Sequence, residues 1–432
     1  MIDRIKINTL GEYIGQSVTI AGFAQAIRAQ SKIAFIVLRD ISGTVQVVVL
    51  PEVADTFSTA AELSLESVIS VSGIVKSEEQ APGGIEIQAT AISVLSVADP
   101  ELPIPVVAQK GADEVHINNR LDYRWIDLRR DENKDLFRVW TALERGARNF
   151  FHNDGWTQIY TPALMGTASE SGAEVFQLPY FETNAYLAQS PQFYKQMALA
   201  SGLEKVFMVG PLFRAENSFT TRHLTEFTGW DFEMAYIDSH HDLMDAEEQM
   251  IVSAFTELRD SGILPGLAVP SRPFPRITMS EAKTKLSDLG IENTEEYDLN
   301  PEEERELSRI VQEETGHEFV FVIDFHISKR PFYHMRHDDN PNLTKSADLL
   351  FRGIEITTLA QREHRLPILQ KQAQEKEMDL SALADYFDFF RYGCPPHGGG
   401  GIGPTRIVMK LLGFENVREA CFLPRDVKRL RP

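Results

Sequence analysis

FRAENSFTTRHLTEFTGWDFEMA, Phe213 to Ala235, sets Arg214, Glu216, Arg222, His223, Glu226, Asp231 and Glu233 among strand-forming Phe, Thr and Trp. The spacing predicts two strands joined by a loop at ENSFTT, with charges at the two-residue period that lines one face of each strand. A face carrying both signs suits a zwitterionic or polyanionic ligand. It equally suits a solvated ion-pair surface, which on the hairpin alone is the simpler reading. The rest of the chain has to decide between them.

Immediately upstream, QSPQFYKQ (Gln189 to Gln196) places Gln192 and Lys195 about one helical turn apart, hence on one face. Before it, ASESGAEVF (Ala168 to Phe176) reads as a small-residue loop around Glu170, able to act as a lid. Downstream, Tyr236 to about Ile327 alternates amphipathic helix with loop and reads as scaffold; its acidic run PEEERELSRIVQEE reads as a solvated helix. Chemistry returns at RPFYHMRHDDNPNLTKSADLLFRGIEITTLAQREHR, where Asp348 and Glu355 could share a hard cation such as magnesium if the fold brings them together. In CPPHGGGGIGPTRIVMKLLG, Gly398 to Gly401 and Gly403 read as a glycine-rich turn before a helix at Ile407 to Leu412, with Arg406 at its entrance. That arrangement suits a phosphate. It is neither a P-loop nor a dinucleotide fingerprint.

Toward the N-terminus, VTIAGFAQAI, IAFIVLRD, TVQVVVL, SVISVSGIV and IEIQATAISVL follow one another between Ser17 and Ala98, separated by turn signals. This pattern predicts a small closed barrel of five strands. Such barrels bind oligonucleotides by stacking and a few polar contacts, for which Arg28, Phe35 and Gln46 are the candidates; as a residue of an alternating strand, Phe35 also fits a core position. ADPELPIPV (Ala98 to Val106) breaks the periodicity with prolines and reads as a linker. Beyond it, Leu136, Val139, Trp140, Leu143, Ala147 and Phe150 recur at helical spacing, and WTQIYTPAL reads as extended.

The chain has 432 residues, 43% apolar and 25% charged, the balance of a soluble globular protein of two or three domains. No apolar run approaches bilayer length and MIDRIKINTLGEYIG lacks signal-peptide character, so a cytoplasmic protein without a membrane partner is expected. Cys394 and Cys421, its only two cysteines, exclude a disulfide framework or a thiolate metal site. A net charge of -20 argues against indiscriminate binding to phosphate backbones, not against a specific nucleic-acid partner.

Taken in order, these pieces resemble the class II aminoacyl-tRNA synthetases, of subclass IIb, and within them the aspartate enzymes of archaeal and eukaryotic type. GWTQIYTPAL resembles the first class motif, FRAENSFTTRHLTEFTGWDFE the second and GGGGIGPTRIVM the third, and the resemblance covers essentially the whole chain. It implies an α+β protein: an OB-type five-stranded barrel that reads the anticodon over residues 1–98, a hinge over 99–130, and a catalytic domain over 131–432 built on an antiparallel sheet flanked by helices. It implies a homodimer through the first motif, ATP and L-aspartate as substrates, Mg2+ as cofactor, and tRNA(Asp) as acceptor, with tRNA(Asn) as a second acceptor left open by the barrel around Gln25 and Pro82. By the same resemblance Arg214 and Arg406 are catalytic. ATP is held by Arg214, Glu216, His223, Phe227, Glu355, Gly403 and Arg406. Aspartate is held by Glu170, Gln192, Lys195, Asp231 and Arg362, the metal by Asp348, Glu355 and Thr358, and the anticodon by Arg28, Phe35 and Gln46.

Two positions depart from the family pattern. Thr405 stands where an acidic residue usually precedes the motif arginine, and Leu359 where glycine is usual, both near the expected meeting point of ATP, metal and amino acid. The asparagine enzyme is the alternative within the family; it typically lacks the lysine of SPQFYK and has glutamate in place of Asp231. A paralogue that passes its adenylate to another acceptor, or binds without catalysis, is the alternative outside it.

Overall fold

The computed structural model describes residues 3–108, 114–166, 175–292 and 294–432. The chain divides into two compact units, Met1–Lys134 and Asp135–Pro432.

In the first unit, five strands, β1 (Ser17–Gln30), β2 (Ile33–Asp40), β3 (Gly43–Val49), β4 (Val68–Ser77) and β5 (Ile85–Ser96), close into a barrel in the order β1-β2-β3-β5-β4. Alternation does the work: Ala34, Ile36 and Leu38 of β2 point into the core with Ile20, Val47, Ile69 and Ile87, while Phe35 and Val37 point outward. Phe35 is therefore not a core residue. Arg28 is its cross-strand partner on β1, and Gln46 pairs with the adjacent Val37 from β3, so the three candidates share one outer face. The segment after the barrel is tied back to it by charge. Arg129 and Arg39 both pair with the buried Glu66 (3.1 and 2.8 Å), and Arg129 lies 4.3 Å over the Phe23 ring. Asp127 gathers Arg120 and Arg124 in the same way.

In the second unit an eight-stranded sheet runs β12-β13-β14-β15-β16-β11-β10-β6. Its strands are β6 (Thr157–Gln158), β10 (Lys205–Phe213), β11 (Glu226–Ala235), β12 (Arg276–Thr278), β13 (Phe319–Ile323), β14 (Ser346–Phe351), β15 (Ile354–Arg362) and β16 (His397–Ile402). Pairing is antiparallel except at the two edges, β12 with β13 and β6 with β10. A small separate sheet joins β7 (Leu164–Met165), β8 (Gln177–Tyr180) and β9 (Thr183–Leu187). The helices Leu136–Asn153 and His240–Asp260 cross closely at Gly146, where a Cβ would stand 2.6 Å from the Ala254 Cα, and the second of them packs on β15 and β16.

Three expectations change. The glycine run is a strand, not a turn: β16 lies between β15 and β11, and paired neighbours on both sides hold glycines extended despite their conformational freedom. The loop of the opening hairpin spans residues 214–225, longer than ENSFTT, so Arg214, Glu216, Arg222 and His223 leave the strands. In the helix Pro301–Thr315, Glu303 and Glu304 are buried rather than solvated, because Glu303 closes a capping box with Asn300 and pairs with Lys283, while Glu304 pairs with Arg222.

Candidate active site

Glycines without side chains make a floor on one face of the sheet. Across it Asp348, Thr358, Gly401 and Asp231 stand opposite one another in register, one strand to the next. A Cβ at Gly399 would stand 2.4 Å from a Glu233 carboxylate oxygen and one at Gly401 3.1 Å from Asp231 Oδ1, so both positions keep this face clear. A one-residue register slip between β14 and β15, with Leu349 opposite Thr357 but Leu350 opposite Glu355, shifts the phase of the strand. Glu355 and Thr358 thereby share this face, and the Thr358 hydroxyl donates to Glu355 Oε1 at 3.3 Å.

Above the floor lies a cavity of about 310 Å³, lined by Arg214, Arg222, Arg330, Arg362 and Arg406 and by Glu216, Asp231 and Glu355 among others. Its charge is divided between two ends. At one, Arg214 lies 5.4 Å over the Phe227 ring and 3.7 Å from Glu216, and Arg222 donates to Glu304 at 2.8 Å. Gly403 caps the helix Pro404–Leu411; from it Arg406 donates to the Glu355 carbonyl at 2.6 Å and lies 3.7 Å from its carboxylate. Burial and the charge of Arg406 push the His223 ring below its ordinary range, so it is a neutral hydrogen-bonding group beside Thr220.

At the other end, Arg362 donates from Nε to Glu233 (2.9 Å) and from its terminal nitrogens to His334 Nε2 (2.9 Å), Gln192 Oε1 (3.0 Å) and the Gly399 carbonyl (2.8 Å). Burial opposes a charge on Glu233, but Arg362 and Lys195 overcome it and hold the carboxyl below its usual range. Gln192 and Lys195 do share one buried helix face, yet only Gln192 reaches the cavity. Lys195 is buried on the same face of the sheet behind Asp231 and Glu233, its ammonium on Asp231 (2.9 Å), Glu233 (3.3 Å) and the Gly400 carbonyl (3.1 Å).

Between the two ends, Arg330 pairs with Asp348 at 2.7 Å. Burial pushes the Asp348 carboxyl up to about 7, with Arg330 pulling against it and Glu355 adding to it, and Oδ1 is buried without a hydrogen-bond partner among the described residues. Burial opposes ionisation of Glu355 too, but Arg406, Arg222, Arg330 and Arg214 prevail and hold it below its ordinary range. Two adjacent carboxyls, one with an orphaned oxygen, suit a hard divalent cation.

Leu359 does not enter the cavity. It lies on the opposite face with Phe232, where a Cβ on Gly400 would stand 3.0 Å from its own, so the departure at this position is packed into the core. Thr405 is in the cavity wall, 5% exposed, and Arg406 is seated by Glu355 rather than by its helix neighbour. Glu170 lies outside the described residues. Reading by motif passed over Arg330, Glu304, Tyr333 and His334; Arg222 and Glu233 were visible among the charges of the opening stretch, but nothing local distinguished their roles.

Residues 116–427 match the family described as tRNA synthetases class II (D, K and N), and residues 18–95 match the OB-fold nucleic acid binding domain. The chain is 40% identical over 431 residues to the aspartate–tRNA(Asp) ligase of Pyrococcus abyssi, covering 98% of this chain and 97% of that one. It is 39% identical to the aspartate–tRNA(Asp/Asn) ligase of Aeropyrum pernix, covering 97% and 96%. Among solved structures, asparaginyl-tRNA synthetase from Pyrococcus horikoshii complexed with asparaginyl-adenylate is similar with a TM-score of 0.91, 32% identity and 100% of both chains covered. A putative aspartyl-tRNA synthetase from Leishmania major Friedlin is similar at 0.90 and 30%, covering 100% of this chain and 96% of that one. By its motifs, its sheet and these likenesses, the chain belongs to the class II tRNA synthetases of the D, K and N group, with an OB-fold domain at its N-terminus.

Proposed function

We propose that the chain is an aspartate–tRNA ligase, joining L-aspartate to ATP as aspartyl-adenylate and passing the aspartyl group to tRNA(Asp). The observation that carries this reading is the two-ended cavity: arginines gathered for a polyphosphate at one end, and Asp231, Gln192 and Arg362 arranged for a zwitterion with an anionic side chain at the other. An oxygen of the aspartate α-carboxylate attacks the α-phosphorus of ATP. The bond from that phosphorus to the bridging oxygen breaks, and pyrophosphate leaves. The nucleophile is already ionised, so no general base is needed, and the protein's part is alignment and charge neutralisation. Arg214 meets the α-phosphate and carboxylate, Glu216 and Phe227 hold the adenine, and His223 with Arg406 takes the outer phosphates. Asp231 takes the ammonium and Arg362 the side-chain carboxylate, with the Lys195 ammonium paired to Asp231 beside them. Asp348, Glu355 and Thr358 would hold Mg2+, which supplies neutralisation of phosphate charge when bound. In the second step a hydroxyl of the terminal tRNA ribose attacks the acyl carbon and AMP departs.

The outer barrel face of Arg28, Phe35 and Gln46 is assigned to the anticodon. The division of roles proposed is residues 1–98 for the anticodon, 99–130 as hinge and 131–432 for catalysis, in a cytoplasmic homodimer. The groove beside the helix Leu136–Asn153, about 840 Å³ and edged by Phe137, Trp140 and the exposed Phe422, supports a second copy there; sedimentation equilibrium tests it.

Aspartate-dependent exchange of pyrophosphate into ATP, followed by charging of purified tRNA, tests the function. Exchange with asparagine alone would favour the second reading, supported by the likeness to the asparaginyl enzyme. Exchange without charging would leave only an adenylate-forming paralogue. Comparing the aspartylation of tRNA(Asp) and tRNA(Asn) decides whether the second acceptor is used.

A further inference from the structure

A guanidinium that reads a carboxylate must be aimed, and His334 is the side chain at Arg362 whose purpose is otherwise unexplained. Its Nε2 lies 2.9 Å from a terminal nitrogen of Arg362. Arginine can only donate, so Nε2 accepts and the ring is neutral with its proton on Nδ1. That Nδ1 is buried without a hydrogen-bond partner among the described residues, in a residue 1% exposed. Burial, Arg362 and Arg330 hold the ring well below its ordinary range, so the accepting state persists. A residue present only to fill space would not carry an unpaired buried donor, since an apolar side chain fills the same volume without it. The backbone is equally constrained: His334 bridges Arg362 in antiparallel fashion, and its carbonyl accepts from Gln372 Nε2 at 3.1 Å. Glu233, Gln192 and the Gly399 carbonyl hold Nε and one terminal nitrogen of the guanidinium, and His334 accepts from the other.

We propose that His334 is a positioning residue for amino-acid recognition, its neutral ring fixing the attitude of Arg362 and so favouring a side-chain carboxylate over the corresponding amide. This rests on the reading of Arg362 as the group that meets the substrate side chain. Pyrophosphate exchange by the full chain, with aspartate and asparagine titrated separately, tests it in wild type, H334L and H334Q. H334L raises KM for aspartate by about 10–100-fold, the loss of one charge-assisted hydrogen bond, leaves KM for ATP within about twofold, and narrows the aspartate-to-asparagine ratio of kcat/KM. H334Q, whose carboxamide oxygen accepts in the same direction, recovers KM for aspartate to within about fivefold of wild type. An unchanged KM for aspartate in H334L, equal rises for aspartate and ATP, or an H334Q no better than H334L would each overturn the assignment. If circular dichroism finds H334L unfolded, H334F replaces it with the same outcomes. Wild-type protein without aspartate-dependent exchange refutes the reading of the site itself; wild-type exchange with an unaltered H334L refutes only the role of His334.

Discussion

Lys195 is the clearest case of a residue whose type was legible and whose place was not. Its helix position marks it as facing the site, but the fold buries it behind the cavity wall, 1% exposed, with its ammonium on Asp231 and Glu233. Lys195→Met would leave two buried carboxylates short of a counter-charge. A loss of roughly 3–5 kcal/mol in urea unfolding is expected; a loss under about 1 kcal/mol would refute the dependence. Glu247, unlike Lys195, carries no signal in the local sequence. Burial raises its carboxyl to about 8 against the pull of the Thr357 hydroxyl, with Glu248 and Asp348 adding to the rise. An acid raised in the folded state binds its proton more tightly there, so its contribution to stability falls as pH rises from about 4.5 to about 8 and is level above that. Glu247→Gln has no such dependence. Relative to wild type the variant gains at most about 1.4 kcal/mol per pH unit across that window; thermal melts between pH 5 and 9 that run parallel would show the group does not titrate there.

At the scale of elements, the glycine strand β16 and the slipped hairpin of β14 and β15 build the site together. Each glycine has its own neighbours, so substitutions should separate folding from function. At Gly399 a Cβ would stand 2.1 Å from the Phe232 carbonyl oxygen, a backbone atom that cannot turn aside, and Gly399→Ala should disrupt the pairing of β11 with β16 and lower the melting temperature sharply. At Gly401 the nearest contact is the Asp231 carboxylate at 3.1 Å, so Gly401→Ala should fold and lose exchange activity. Equal stability of the two variants would contradict this account of the floor. Periodicity found the barrel strands and the long helix because a buried face repeats along the chain. It misread β16 because glycine has no side chain with which to show a period, and only strands on either side make it extended.

For the whole molecule, the two units predict separable defects. Phe35→Ala should leave pyrophosphate exchange unchanged and reduce kcat/KM for tRNA by about 10–100-fold, the worth of one stacked base; a parallel loss in exchange would refute the assignment of that face. The sequence by itself determined the family, the barrel and the residue types of the site. Local spacing and the order of three motifs carry that information without any long-range contact. Only the tertiary structure decided which charges face the cavity. Lys195 is buried behind Asp231 and Glu233, Leu359 lies behind the sheet, Arg330 and His334 line the cavity, and Glu304 holds Arg222 in its wall. Those roles depend on partners tens or hundreds of residues away, brought within about 3 Å by strand register and by a one-residue slip, and nothing in the local pattern specifies either.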